Sequence, residues 1–242
     1  MNHVKTLIVL LFLSLAATSA SAQRHVFGTP NLMSYDDKIA HFGFLISGGT
    51  YNYVLYSNPN LLQNDSLHAV NPQSGKSFGF GIIADLRLGK YFDLRFIPSF
   101  TFPDCQLRYF RTGTEFQPDY ANGNANGIVF LDIPVLVKFK STRMLNNMRA
   151  YVLAGAQYSR NLVYGKASKM SQNNANGILL VNANDVAAQV GVGLDFYCTY
   201  FKLATELKFS LGLINQLQKE GHFEGSIQSL RSKAFLFSIT FE

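Results

Sequence analysis

The sequence predicts an all-β protein, an eight-stranded antiparallel up-and-down transmembrane β-barrel with four long external loops and short periplasmic turns. Three observations predict it. Apolar residues recur with a period of two through most of the chain, the mark of strands with one apolar face. The connections alternate between long polar segments and very short ones, as in outer-membrane barrels. Charged residues are only 15% of the chain, below the roughly 25% usual in soluble domains, and they sit singly on the polar face of the strands.

The chain opens with a cationic start, Met1–Lys5, an apolar core, Leu7–Ala17, and a small-residue cleavage site at Ala20-Ser21-Ala22. Residues 1–22 therefore read as a secretory signal peptide, too short for a spanning helix. Residues 23–38 read as a periplasmic tail, and residues 39–242 as the barrel. After the leader no segment approaches the roughly 18 uncharged apolar residues of a transmembrane helix. The formal charge is +6, but Lys and Arg are scattered; without a basic cluster, nucleic-acid binding is excluded.

The predicted strands run Ala40–Tyr56, Ser77–Leu88, Phe92–Phe102, Ile128–Lys140, Arg149–Ser159, Asp185–Tyr197, Phe201–Leu213 and Lys233–Glu242. In the second, Phe78, Phe80, Ile82, Ala84, Leu86 and Leu88 alternate with Ser77, Gly79, Gly81, Ile83, Asp85 and Arg87. In the sixth, Val186, Ala188, Val190, Val192, Leu194 and Phe196 alternate with Asp185, Gln189, Gly191, Gly193 and Asp195. One face is bulky hydrocarbon; the other is small residues with single charges. A solvated face has no need to be small, whereas the inside of a narrow barrel does. That contrast favours lipid outside over a soluble barrel with an apolar interior, and places the chain in the outer membrane. Tyr91, Phe92, Tyr197, Tyr200 and Phe201 are expected to form the periplasmic aromatic girdle, and Tyr109, Phe110 and Tyr158 to serve the external rim.

Two cysteines, Cys105 and Cys198, enter an oxidising compartment. In this topology they lie on the order of 40 Å apart along a strand. A disulfide needs Cα atoms within about 7 Å, so two free thiols are expected.

Asp-Leu-Arg occurs twice, at Asp85–Arg87 and Asp93–Arg95. A hairpin pivoting on Gly89-Lys90-Tyr91 faces Arg87 with Asp93 and Asp85 with Arg95. A two-residue turn at Cys198-Thr199 would likewise face Asp195 with Lys202 and Gln189 with Lys208. Asp132, Lys138 and Glu206 extend the lumen set. Opposite charges on facing strands fix register, each by about 0.2–1 kcal/mol. The nearby cations favour ionised structural pairs over acid–base catalysis. His41, His68 and His222 are the candidates for a lipid-modifying site, but His41 lies at the periplasmic end and the other two lack a Ser/acid partner pattern. No metal spacing, phosphate loop or nucleophile elbow occurs, so no catalytic residue, metal or cofactor is expected. Asn124–Ile128 recurs as Asn174–Ile178, Asn-Ala-Asn-Gly-Ile in both, and reads as turn chemistry. Asp36, Asp37, Lys38 and His41 form the cluster most suited to touching a partner.

Three stretches resemble the PorT family, outer-membrane barrels of the type IX secretion system of Gram-negative bacteria. They are Tyr35-Asp-Asp-Lys38 leading to His41-Phe-Gly-Phe44, the block Gly79–Phe100, and Ile133-Pro-Val-Leu-Val-Lys-Phe-Lys140. The resemblance implies a non-enzymatic component of protein secretion, with outer-membrane lipid and other secretion-system proteins as partners. A departure from the usual barrel signal is that the aromatic Phe241 is followed by Glu242.

Overall fold

The computed structural model describes residues 30–57, 69–104, 106–111, 114–116, 129–163, 182–216 and 227–242. The leader, Cys105, His68, His222 and both Asn-Ala-Asn-Gly-Ile segments lie outside the described residues.

The polypeptide forms β1 (Ala40–Ser57), β2 (Ala69–Gln73), β3 (Gly75–Arg87), β4 (Phe92–Phe96), β5 (Ser99–Pro103), β6 (Gln106–Arg111), β7 (Thr114–Phe116), β8 (Phe130–Lys140), β9 (Met148–Asn161), β10 (Asn184–Tyr197), β11 (Lys202–Gly212) and β12 (Ile227–Phe241). All pairings are antiparallel. β1 bonds to β12 on one side and to β3 on the other, so the sheet closes on itself. The ring has eight staves, because β4 and β5 are two halves of one. The break at Ile97-Pro98 follows from the missing proline N–H. Both halves keep one register against β3 and against β8. Closure removes every edge strand, the requirement for sheet in hydrocarbon.

Faces separate as the alternation demands. Phe42, Phe44, Ile46, Phe78, Phe80, Ile82, Val190, Val192, Phe235 and Phe237 are all exposed on the outer wall. Inside, Leu45, Ile83, Ile97, Leu136, Leu153 and Ala204 pack with Tyr151 into one buried layer. A second layer, Tyr51, Tyr53, Phe130, Leu230 and Ala234, fills the external end. Exposed hydrocarbon outside and a packed interior suit a narrow barrel in lipid.

Three expectations need correction. The β10–β11 turn spans Cys198–Phe201, closed by the Cys198 N–H to the Phe201 carbonyl at 3.0 Å. The longer turn shifts the register, so Lys202 faces Tyr197, Asp195 faces Ala204, Gln189 faces Ser210 and Lys208 faces Gly191. Tyr197 is no girdle residue: it shares the inward parity of Asp195 and is only 3% exposed. Tyr91, Phe92, Tyr200 and Phe201 do project outward. Finally, β2, β6 and β7 form a small second sheet where long loops were expected. It continues the β3–β5 ladder past the barrel rim with a one-residue change of register. Cys198 is a free thiol.

Candidate functional site

The barrel's polar chemistry is concentrated in its periplasmic half. The β3–β4 register places Asp85 across from Arg95 and Arg87 across from Asp93, the facing that a hairpin pivoting on Lys90 requires. Facing becomes pairing for Asp85 and Arg95 but not for Arg87 and Asp93. Arg95 forks onto Asp85, with Nε to Oδ1 at 2.7 Å and Nη2 to Oδ2 at 2.7 Å. It also donates across the lumen to Glu206 of β11 and, at 2.8 Å, to Glu242. Arg87 and Asp93 do not pair with each other. Arg87 reaches Asp37 at 3.6 Å, and Asp93 takes Lys140 from β8 at 2.7 Å.

The other lumen charges form a connected set. Lys138 sits 3.1 Å from Asp195 and 3.7 Å from the centre of the Tyr151 ring. Tyr151 donates to Glu206 at 2.7 Å, and Lys208 lies 3.0 Å from the same carboxylate. Lys202 pairs with Glu242 rather than with Asp195. Asp132 has no cationic partner among the described residues; Thr101 donates to it at 2.5 Å. The reason lies in the register, which sets serines on both sides of it, Ser99 and Ser159. Desolvating this many charges is expensive, and bidentate geometry with multiple partners is what makes it tolerable.

The sequence readily signals Glu242, which continues the inward alternation of Ser238 and Thr240. It also signals Tyr151, which fills the space opposite Gly193: a Cβ there would lie 2.4 Å from Tyr151 Cζ. Neither was among the expected charge-network residues. Arg143, in a turn without periodicity, carries no such signal.

The segment from Asn31 to Lys38 closes the periplasmic mouth. It turns through a short 3-10 element, Tyr35–Asp37. Asp36 is gripped by Arg143 at 2.9 Å and by Arg149 at 2.8 Å, and Tyr197 donates to it at 3.0 Å. Arg143 also donates to the carbonyls of Asn31 and Leu32 at 2.7 and 3.0 Å, its guanidinium 3.7 Å from the Tyr197 ring centre. Tyr35 stacks on His41 with ring centres 4.2 Å apart, and donates to Glu242 at 3.2 Å. Burial pushes the Tyr35 hydroxyl up, so it remains a donor. Burial raises the Asp36 carboxyl, but Arg149 and Arg143 outweigh it and hold the group below its ordinary value.

The expected exposed cluster is thus divided. Asp36 faces inward because its partners Arg149 and Tyr197 are buried, and His41 because it shares the inward alternation of Leu45 and Ser47 on β1. Asp37, at 80% side-chain exposure, and Lys38 face the periplasm.

At the external end, beside the Tyr51 layer, lies a cavity of about 20 Å³, lined by Asp132, Asp185, Ser159, Ser232, Tyr51 and neighbours. It has room for about one water. Among the described residues no three His, Cys, Asp or Glu side chains converge as a metal site, and no helix is long and apolar enough to cross a membrane.

No family model and no curated protein matches the chain. Solved structures do. Neisserial surface protein A matches at 13% identity over 84% of this chain and 98% of that one, with a TM-score of 0.42. The outer membrane protein OprG from Pseudomonas aeruginosa matches at 11% identity over 82% and 93%, TM-score 0.40. Ail, the attachment invasion locus protein of Yersinia pestis, matches at 11% over 84% and 99%, TM-score 0.35. The closed ring, its apolar outer wall and its alternation of short and long connections make this chain an outer-membrane β-barrel.

Proposed function

We propose that this barrel is a non-enzymatic structural protein of the outer membrane that works through its surfaces, the external loops above all. The supporting observation is the filled lumen. Arg95 is fully buried in a net of three carboxylates, and the segment around Asp36 covers the periplasmic mouth. Among the described residues such an interior leaves no room for solute or polypeptide, which favours work done on the outside. Its constant partner is outer-membrane lipid. Purified protein in a planar bilayer is expected to give no stable conductance. A deletion strain is expected to show altered adhesion or envelope integrity with unchanged lipid A. A modified lipid A would overturn the non-enzymatic reading.

A second reading, a component of a type IX secretion machine like the PorT family, draws on the sequence resemblance and on the periplasmic cap. The cap presents Asp37 and Lys38 to solvent on the side where secretion partners would dock. In that case the deletion strain retains cargo in the periplasm, and crosslinking from Lys38 captures other secretion-system proteins.

A further inference from the structure

The outer wall has a charge asymmetry that the lumen network does not explain. Among the described residues of the barrel strands, four cations point outward: Lys76 on β3, Arg160 on β9, and Arg231 and Lys233 on β12. Each is exposed and flanked in its strand by inward-facing neighbours such as Ser77, Ser159, Ser232 and Ala234. All four lie at the external ends of their strands. Among the described residues the one acid on this outer wall is Asp104, directly after β5, whose N–H donates to the Lys76 carbonyl at 2.8 Å. Among the described residues no charge occupies the outward face of the strands' periplasmic ends.

Depth matters, because a cation facing lipid is penalised most at the bilayer midplane and least at the interface. A strand tilted by about 40° climbs about 2.5 Å per residue along the membrane normal. Counting from Phe241, Lys233 lies roughly 20 Å and Arg231 roughly 25 Å up, where an apolar band about 25 Å tall ends. Between them and Phe241 the outward residues are Phe235, Phe237 and Ile239. The switch from hydrocarbon to cation therefore falls at the headgroup layer of the outer leaflet.

Three of the cations cluster. Lys233 faces Asn52 and Arg231 faces Val54 across the β1–β12 ladder, while Lys76 faces Thr50 across β1–β3. The patch spans three adjacent staves, with the short polar side chains of Thr50 and Asn52 between the cations. None of its cations is in an ion pair among the described residues. The Lys233 ammonium lies 5.7 Å from the centre of the Phe209 ring, a cation–π contact that leaves its hydrogen-bond donors without an anionic partner among the described residues.

From this we infer that Arg231, Lys233 and Lys76 form a lipid-facing site for the phosphate groups of an anionic glycolipid in the outer leaflet. Phosphate is the complementary group: it accepts charge-assisted hydrogen bonds from both Arg and Lys, and it lies at this depth. The inference rests on the membrane reading of the barrel, not on which surface function it serves.

The test uses full-length protein in zwitterionic detergent, titrated with lipid A and with enzymatically dephosphorylated lipid A, bound lipid being counted by native mass spectrometry. Wild type is expected to retain lipid A and to hold the dephosphorylated form at least tenfold more weakly. Arg231→Glu/Lys233→Glu should lose at least tenfold in affinity for lipid A. Lys233→Glu alone should lose severalfold, while Lys90→Glu, the matched reversal at the periplasmic rim, should leave binding unchanged. Heat-modifiable mobility on gels confirms folding. If the glutamate pair fails to fold, Arg231→Gln/Lys233→Gln carries the same prediction with a smaller loss. Equal binding by wild type and variants, an equal loss in Lys90→Glu, or indifference to the phosphates would overturn it.

Discussion

Arg95 holds together parts of the chain far apart in sequence, since its partners are Asp85, Glu206 and Glu242. Arg95→Ala leaves three carboxylates without their shared cation in a dry interior. Removing one partner of a buried pair costs about 3–5 kcal/mol, and a loss of that size is expected in urea unfolding from lipid vesicles. Gly193 acts through space rather than charge. An alanine there meets the Tyr151 ring at 2.4 Å from Cζ and displaces the hydroxyl from Glu206. Gly193→Ala is expected to lose about 1–3 kcal/mol, the usual range for overpacking, by the same measurement.

Among the elements, the hairpins were legible to different degrees. The β3–β4 turn could be read because both strands alternate cleanly up to Lys90, and parity plus loop length then set the facing. The β10–β11 turn could not. Cys198, Thr199, Tyr200 and Phe201 show no alternation that tells a two-residue turn from a four-residue one, and an error of two leaves every side chain on its proper face. Asp195, Gln189, Lys202 and Lys208 are therefore all buried inside, while the facing of this hairpin differs from the expected one. Pairing was only partly readable for a further reason: Arg95 and Lys138 are long enough to bond across the lumen, so their partners Glu206, Glu242 and Asp195 depend on ring closure rather than on neighbouring strands.

The cap was read as a solvated tail because nothing in Asn31–Lys38 shows periodicity; its hold comes from Arg143 and Arg149, distant in sequence. Arg143→Ala/Arg149→Ala is expected to expose residues 30–38 to protease while heat-modifiable mobility persists. Acid should do the same. The Asp36 carboxyl is depressed in the folded state, so its contribution is complete above the ordinary carboxylate value of about 3.9 and is lost as pH falls through the lower folded value. Hydrogen exchange of residues 30–38 is expected to be slow at neutral pH and to show increased opening only in that acid range, after correction for intrinsic exchange.

At the scale of the molecule, ring and lipid-facing band follow from alternation and connection length, which are properties of every strand and survive local errors, whereas the expected small-residue interior is in fact filled by large side chains such as Leu136, Tyr151 and Arg95. The extension formed by β2, β6 and β7 was invisible because its strands are short and polar, with Pro72 inside one of them. Arg95→Ala tests the whole as well as the residue. The apolar layer of Ile83, Ile97, Leu136 and Leu153 lies beside the ionic net, so the variant is expected to remain non-conducting in planar bilayers despite its lost stability.

The cross-lumen bonds of Arg95 also bear on how the barrel is made. Asp85 can meet Arg95 as soon as one hairpin forms, but Glu206 and Glu242 lie more than a hundred residues later. Until β11 and β12 arrive, the guanidinium has only one carboxylate and must stay hydrated. An unfinished sheet thus keeps a wet, charged seam that resists entry into hydrocarbon, and the last strand dries it. Insertion and closure are therefore expected to be coupled through the arrival of Glu206 and Glu242.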